Sequence, residues 1–470
     1  MATKKIAVVG GGMTGLTAAY YLKQKIKEQQ LPYEVTLIEA GHRVGGKIQT
    51  VRKNGFIMER GPDSFLERKT PAVKLVTQLG LTDQLVRNST GQAHVLVRDT
   101  LYEIPSGTFM GIPVWESALT ETHIISETGK ERIQEELSLQ KSKPMIDQSL
   151  GHFLRQRLGD ELIENLIEPL LSGIYSSDID KMSLMATFPQ FFKLEQEYGS
   201  LIKGLRKTLP QDQASTGKKK GQFLSFENGL ETIVEALFQK LGNDTCILGK
   251  PVKHIIHQDG AYHLELEKNE VREADAILMT VPHHHLPSIF KADSLFAPFM
   301  DIPVTSVANV VLAFDQSAIQ YDQDGTGFVV SRNSDFRITA CTWTDKKWPT
   351  TTPNGKVLLR AYVGKPSDQK IVHLADDEIV KIVLKDLAKV MNLAASPEFT
   401  MVTRWKQAMP QYTVGHVETV KMVRNEMKAQ LPGVFIAGSS FEGVGIPDCI
   451  QQGEQAADDV LQFLASSYRK

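Results

Sequence analysis

Lys5–Val9 is a short apolar, β-branched run that stops at a cluster of glycines. A run of this kind is too short for a helix and predicts a buried parallel strand. From Gly15 to Lys27 the spacing of Leu16, Ala19, Tyr20 and Leu22 predicts a helix with one apolar face. Tyr33–Glu39 predicts a second strand that ends in an acid. Strand, glycine turn, helix and strand make a βαβ unit.

Further along, Val95–Ile104 predicts a hairpin around Arg98-Asp99, and Ser106–Trp115 a Gly/Pro-interrupted apolar loop. From Glu127 to about Leu205 the pattern is mostly helical, as in Gly159–Leu171. Lys207–Gly221 is polar and rich in breakers, which predicts a surface loop. A helix over Gly229–Leu241 is followed by strands over Thr245–Val252, Lys253–His257 and Tyr262–Leu266, and by a very apolar strand over Ala274–Val281. Val304–Phe314, Gly327–Val330 and Lys356–Val363 predict further strands, and Asp376–Met391 a helix. Val434–Ala437 and Ile446–Ser466 predict a last strand and a last helix. No internal repeat is evident. Strands of parallel-sheet character recur near both ends and in the middle, so the domain that the βαβ unit opens is expected to be discontinuous.

The chain has 470 residues, which at roughly 150 residues per domain suggests two or three domains. Apolar residues at 41% and charged residues at 23% mark a globular protein. The formal net charge of −2 supplies no global basic field, so nucleic acid is not an expected partner. Cys246, Cys341 and Cys449 stand far apart and form no CxxC, which fits a reducing compartment. The basic start and the apolar Ile6–Leu22 imitate a signal peptide, but Gly10, Gly11, Gly12 and Gly15 break its middle. No stretch reaches the ~20 uninterrupted apolar residues of a membrane span. A cytoplasmic protein without a stable membrane anchor is expected.

The strongest motif is Gly10-Gly11-Gly12-Met13-Thr14-Gly15, a G-x-G-x-x-G directly after a strand and before a helix. Gly10 permits the tight turn, Gly12 lets the backbone approach a pyrophosphate, and Gly15 allows close helix–strand packing. The phosphate charge then meets free N–H groups at a helix N-terminus. Glu39 closes the second strand, where its carboxylate can accept hydrogen bonds from a ribose.

The run from Glu39 through Ala40 to Arg43, Gly45, Gly46 and Lys47 resembles the second fingerprint of the flavin amine oxidase superfamily, an acid followed by R-x-G-G-[RK]. The resemblance covers nearly the whole chain and implies bound FAD. It places Gly61, Pro62, Asp63 and Ser64 against the isoalloxazine ring and pairs the backbone of Val252 with the adenine. Judged alone, these are a turn and a strand valine. In the C-terminal segment from Val434 to Val460 a strand ends at Gly438, and a Gly-rich loop through Gly445 leads to Ile446, Pro447 and Asp448. The superfamily points this helix start at the flavin N1/C2=O edge. Ser439 stands where many relatives have an acid.

Within the superfamily, Trp405–His416 and the Gly-Val-Gly-Ile-Pro-Asp loop resemble the protoporphyrinogen oxidase family, closest to its soluble Gram-positive branch, which prefers coproporphyrinogen III. Trp405 is accordingly a cofactor-site candidate. The resemblance implies a fold with a discontinuous Rossmann-like FAD-binding domain, an inserted α+β substrate-binding domain and a helical domain. The corresponding segments are 1–90, 221–290 and 406–470 for the FAD-binding domain, 91–220 for the helical insert and 291–405 for the sheet insert. It further implies three cycles of hydride transfer from substrate meso carbons to flavin, reoxidation by molecular oxygen with release of hydrogen peroxide, and a place in haem biosynthesis with a downstream haem-pathway enzyme as possible partner. The cofactor carries the hard step, so no catalytic residue or triad is expected.

A flat apolar pocket rimmed by cations would suit the propionates. Arg68, Lys69 and Arg98 are the candidate substrate cations, and Met110 and Ile112 the apolar candidates. The bland reading of each cation is a solvated surface charge. Ser106–Trp115 could equally be ordinary core or a weak membrane contact. His283-His284-His285 lacks the spacing of a metal site, Lys218-Lys219-Lys220 reads as a solvated loop, and Cys449 as a free buried thiol. The alternatives are another flavin oxidase (an amine oxidase or a desaturase), or a non-enzymatic binding protein on the same fold, like the Rab GDP-dissociation inhibitors.

Overall fold

The computed structural model describes residues 3–120, 122–209, 221–320 and 323–466. Lys218-Lys219-Lys220 and most of the expected Lys207–Gly221 loop lie outside the described residues. In chain order the elements that frame the site begin with β1 (Lys4–Val9), α1 (Met13–Glu28), β2 (Tyr33–Ile38), β3 (His94–Val97) and β4 (Thr100–Glu103). There follow α2 (Leu150–Leu158), α3 (Glu168–Tyr175), α4 (Thr232–Leu241), β5 (Cys246–Ile247), β6 (Ala276–Met279), β7 (Val304–Asp315) and β8 (Gly327–Val330). The remainder are β9 (Ile338–Trp343), β10 (Lys356–Val363), β11 (Phe399–Pro410), α5 (His416–Gln430), β12 (Val434–Ile436) and α6 (Ile446–Ser466).

Five parallel strands form the first sheet, in the order β5-β2-β1-β6-β12. Its strands come from three separated stretches of the chain, so this unit is discontinuous. Alternation along β1 explains why both faces are covered. Ile6 and Val8 pack with Leu16, Leu22, Ile233 and Ile450 from α1, α4 and α6, while Ala7 and Val9 pack with Phe296, Phe299 and Val423 on the other side. Helices α1 and α6 lie very close: a Cβ on Gly453 would meet the Thr14 carbonyl oxygen at 2.6 Å.

The second sheet has seven strands in the order β11-β7-β10-β9-β8-β3-β4. It is antiparallel except at the β8–β3 pair. Residues 94–103, grouped by the sequence pattern with the helical insert 91–220, pair into this sheet, which also runs past 405 to Pro410. A helical layer centred on α2 and α3 has its own core, with Phe153, Leu158, Ile163 and Phe191 fully buried. The Ser106–Trp115 segment folds as a short pair, Thr108–Phe109 with Ile112–Pro113, and packs into that core.

Of the elements named above, β9, β11 and α5 escape the sequence pattern. The reason is clearest for β11, an edge strand whose exposed side carries Arg404, Lys406 and Gln407 and so dilutes the apolar alternation. The strand expected over Thr245–Val252 shrinks to Cys246–Ile247. Gly249 takes φ +68° and Pro251 offers no N–H, so pairing stops there.

Candidate active site

The site begins at the β1–α1 turn. Gly10 has φ +109°, and a Cβ on Gly15 would lie 1.9 Å from the Gly10 carbonyl oxygen, so both positions require glycine. Gly12 differs: its φ is −71° and a Cβ there would meet no protein atom within 4 Å. Helix α1 has no side-chain cap and no acid in its first turn. Its leading N–H groups and the open space beside Gly12 form a cradle for an anion. Glu39 accepts hydrogen bonds from the Gly11 N–H (2.6 Å) and the Gly41 N–H (2.7 Å). These fix its carboxylate at the end of β2 and leave lone pairs for hydroxyl donors.

The second glycine pair docks on the first, because the Gly45 N–H donates to the Gly11 carbonyl at 2.7 Å. Arg43 turns behind this loop. It donates to the Gly46 carbonyl at 3.0 Å, to the Ile48 carbonyl and to Glu231 at 2.9 Å, and it does not line the cavity. Lys47 does line it; its ammonium donates to the Ala408 carbonyl, and burial lowers its pKa. A Cβ on Gly61 would lie 1.9 Å from the Lys47 carbonyl oxygen, so Gly61-Pro62 presses directly on this segment.

One cavity of about 1660 Å³ runs through the molecule. Of the sequence candidates, Gly10, Gly12, Met13, Thr14, Glu39, Ala40, Gly46, Lys47, Gly61–Ser64, Val252, Trp405, Gly438, Gly445 and Ile446 line it. Gly11, Gly15, Arg43, Pro447 and Asp448 stand behind that lining. Arg68 lies over the Phe109 ring at 5.3 Å, Arg98 sits exposed at the tip of the β3–β4 hairpin with φ +56°, and Lys69 is held by Asp448 at 2.7 Å. None of these three cations lines the cavity, because each sits on an outer loop. Met110 and Ile112 are likewise absent from its wall; they belong to the helical core.

Past Gly61–Ser64 and Trp405 the cavity is a chamber walled by the seven-stranded sheet and α3. Leu170, Ile174, Val329, Val330, Ile338 and Met409 give it apolar walls. Its chamber cations are Arg332, Lys347, Arg360 and Lys365. Asp63 is the hub on one side: Lys347 reaches it at 2.8 Å, Arg360 at 3.0 Å and the Trp348 indole N–H at 3.2 Å. The two cations hold the Asp63 carboxyl well below the usual carboxylate range despite its burial. On the opposite wall Arg332 pairs with Glu168, with Asp178 (3.5 Å) and with Asp180 (3.3 Å). Burial raises the Glu168 pKa. Apart from Asp63, the sequence offered no motif for these residues. Arg332 follows β8, Lys347 lies just after β9 and Arg360 lies inside β10, so only the chamber brings them together.

Behind the cofactor-side loop, Gly438 has φ +123° and its N–H donates to Gln452 at 2.9 Å. Tyr412 donates to the Ser439 carbonyl at 2.7 Å, and His283 faces Ser440. Burial pushes the His283 pKa down to about 4, so this ring is neutral. Cys449 is a buried free thiol in the cavity wall.

A glycine-lined trough at a helix N-terminus, continuous with an apolar chamber, is the arrangement of a dinucleotide-binding protein. The profile of the flavin containing amine oxidoreductases matches residues 13–461. The chain belongs to this family, and its cofactor is FAD. It is 51% identical over 465 residues to a protein of Bacillus subtilis (strain 168) named coproporphyrinogen III oxidase, covering 98% of this chain and 99% of that one. It is 46% identical to a protein of the same name from Staphylococcus aureus (strain NCTC 8325 / PS 47), covering 98% and 100%. A crystal structure of a candidate protoporphyrinogen oxidase from Exiguobacterium sp. 255-15 superposes with a TM-score of 0.87 at 39% identity, covering 98% of this chain and 99% of that one.

Proposed function

We propose that this enzyme oxidises coproporphyrinogen III to coproporphyrin III, and protoporphyrinogen IX as a second substrate, with molecular oxygen as the electron acceptor. The observation that carries the reading is the chamber: apolar walls and cations, continuous with the FAD trough. The names of the relatives support it. When bound, FAD accepts a hydride and hands the electrons to oxygen. The chain's residues do the rest. Gly12 and the α1 N-terminus receive the pyrophosphate, Glu39 the ribose hydroxyls, and the backbone of Val252 the adenine. Gly61-Pro62, Trp405 and the Gly445–Ile446 loop would hold the flavin ring. The apolar walls Leu170, Ile174, Val329 and Ile338 would exclude water and hold the puckered porphyrinogen macrocycle in the chamber. Among the described residues no helix is long and apolar enough to cross a membrane, and we place the reaction in the cytoplasm, upstream of a haem-pathway enzyme that consumes the porphyrin.

The test mixes the purified flavoprotein, in air, with coproporphyrinogen III and separately with protoporphyrinogen IX. Porphyrin fluorescence should rise well above autoxidation, fastest with coproporphyrinogen III, and should stop when oxygen is removed. A yellow protein that gives no rise in either cuvette would refute the proposal.

A further inference from the structure

The chamber cations are not equivalent. Lys347 and Arg360 share Asp63, and Arg360 also donates to the Glu59 and Gly61 carbonyls, both at 3.3 Å. Arg332 is surrounded by Glu168, Asp178 and Asp180, so its wall carries net negative charge. Lys365 stands apart. It lines the cavity, is half-buried, and its ammonium has no hydrogen-bond or ion-pair partner among the described residues. The backbone packs closely where it leaves β10: Gly364 takes φ +96°, and a Cβ there would lie 2.5 Å from the Ser306 carbonyl oxygen, so this turn requires glycine. Pro366 and Ser367, both exposed, continue the cavity wall toward solvent.

We propose that Lys365 is a specificity-determining residue that binds a carboxylate of the substrate and so fixes which edge of the macrocycle faces the chamber mouth. This rests on the porphyrinogen reading above. A carboxylate placed at the Arg332 wall would meet a cation already outnumbered by acids. One placed at Lys365 meets an unshared charge, half-desolvated and therefore stronger than a surface lysine. The macrocycle thus enters with one of its propionates at Lys365 and its apolar pyrrole faces against Ile174, Val330 and Ile338.

The experiment compares the wild-type holoenzyme with Lys365→Met and Lys365→Arg. Steady-state kinetics with coproporphyrinogen III is combined with equilibrium binding of coproporphyrin III, read by fluorescence titration. For Lys365→Met, KM and the porphyrin Kd should both rise about tenfold while kcat stays within about twofold. Lys365→Arg should restore both to within about threefold, and added salt should weaken wild-type binding more than binding to Lys365→Met. An unchanged Kd in Lys365→Met, or a loss in kcat that Lys365→Arg does not relieve, would overturn the assignment. If the wild type binds coproporphyrin III but turns over no porphyrinogen, the functional reading fails while the Kd comparison still decides the role of Lys365.

Discussion

The guanidinium of Arg360 lies 3.0 Å from the carboxylate of Asp63, with only 5% and 11% of the two side chains exposed. This pair joins the middle of the seven-stranded sheet to the Gly61–Ser64 segment at the chamber floor. Four donors, the Lys347 ammonium, the Arg360 guanidinium, the Trp348 indole N–H and the Ser64 hydroxyl (2.6 Å), converge on one acid, so the acid sets the position of the whole segment. Replacing Asp63 by Asn would leave two adjacent buried cations without a counter-charge. The expected cost is about 3–5 kcal/mol of stability, read from denaturant unfolding of the flavin-free protein, with a lower flavin-to-protein ratio as isolated. An Asp63→Asn protein as stable as wild type would contradict the hub role.

Glu59 sits one turn of chain earlier and behaves in the opposite sense. Its carboxyl accepts the Leu230 N–H at 2.7 Å and faces the Thr50 hydroxyl, yet burial pushes its pKa from 4.5 up to about 7. A folded pKa above the unfolded value favours the protonated form. Its contribution is therefore complete below about pH 4.5 and is lost as pH rises through 7. Glu59→Gln should remove this loss. The melting temperature of wild type should fall relative to the variant between pH 5 and pH 8, with a difference of up to about 3 kcal/mol across that window. Parallel pH profiles for the two proteins would rule out a titrating Glu59.

Much of the nucleotide half was legible in the sequence because its chemistry is local. A strand, a glycine turn, a helix and an acid must follow one another closely, and the Gly45–Gly46 pair docks on Gly11 within the same stretch. The substrate half was not legible. Arg332 follows β8, Lys347 lies in the short helical turn after β9, Arg360 lies inside β10 and Lys365 just beyond it, and nothing in their spacing distinguishes them from surface charges. Arg68, Lys69 and Arg98 looked equivalent to them, yet ended on outer loops. Lys69 shows the difficulty well: its partner, Asp448, lies 379 positions further along the chain, and no local pattern connects them. Arg43 fits a fingerprint, but its three acceptors lie behind the loop.

The helical layer contains a second buried charge cluster. Arg157 bonds Glu136 at 2.7 Å and Glu195 at 3.2 Å, and all three side chains are at most 3% exposed. Arg157→Ala would strand two carboxylates and should cost about 3–5 kcal/mol. Arg155, two positions away, pairs with the exposed Asp160 and Asp180. Arg155→Ala should cost about 1 kcal/mol or less. Unfolding curves of the two variants, measured together, test the contrast; equal effects would show that burial does not decide it.

Two glycines of the first turn separate cofactor binding from folding. At Gly12 the backbone is ordinary and a Cβ would enter the open trough, so Gly12→Ala should fold with stability within about 0.5 kcal/mol of wild type. The added methyl would occupy the space that the pyrophosphate needs, and FAD retention should drop severely. At Gly15 a Cβ would strike the Gly10 carbonyl oxygen inside the protein itself, so Gly15→Ala should lose stability in the flavin-free state too. Absorbance ratios at the flavin and protein bands, together with thermal unfolding of the apoproteins, distinguish the cases. A Gly12→Ala protein that retains full flavin would show that the pyrophosphate does not lie over this turn, and the path of the cofactor through the cavity would have to be redrawn.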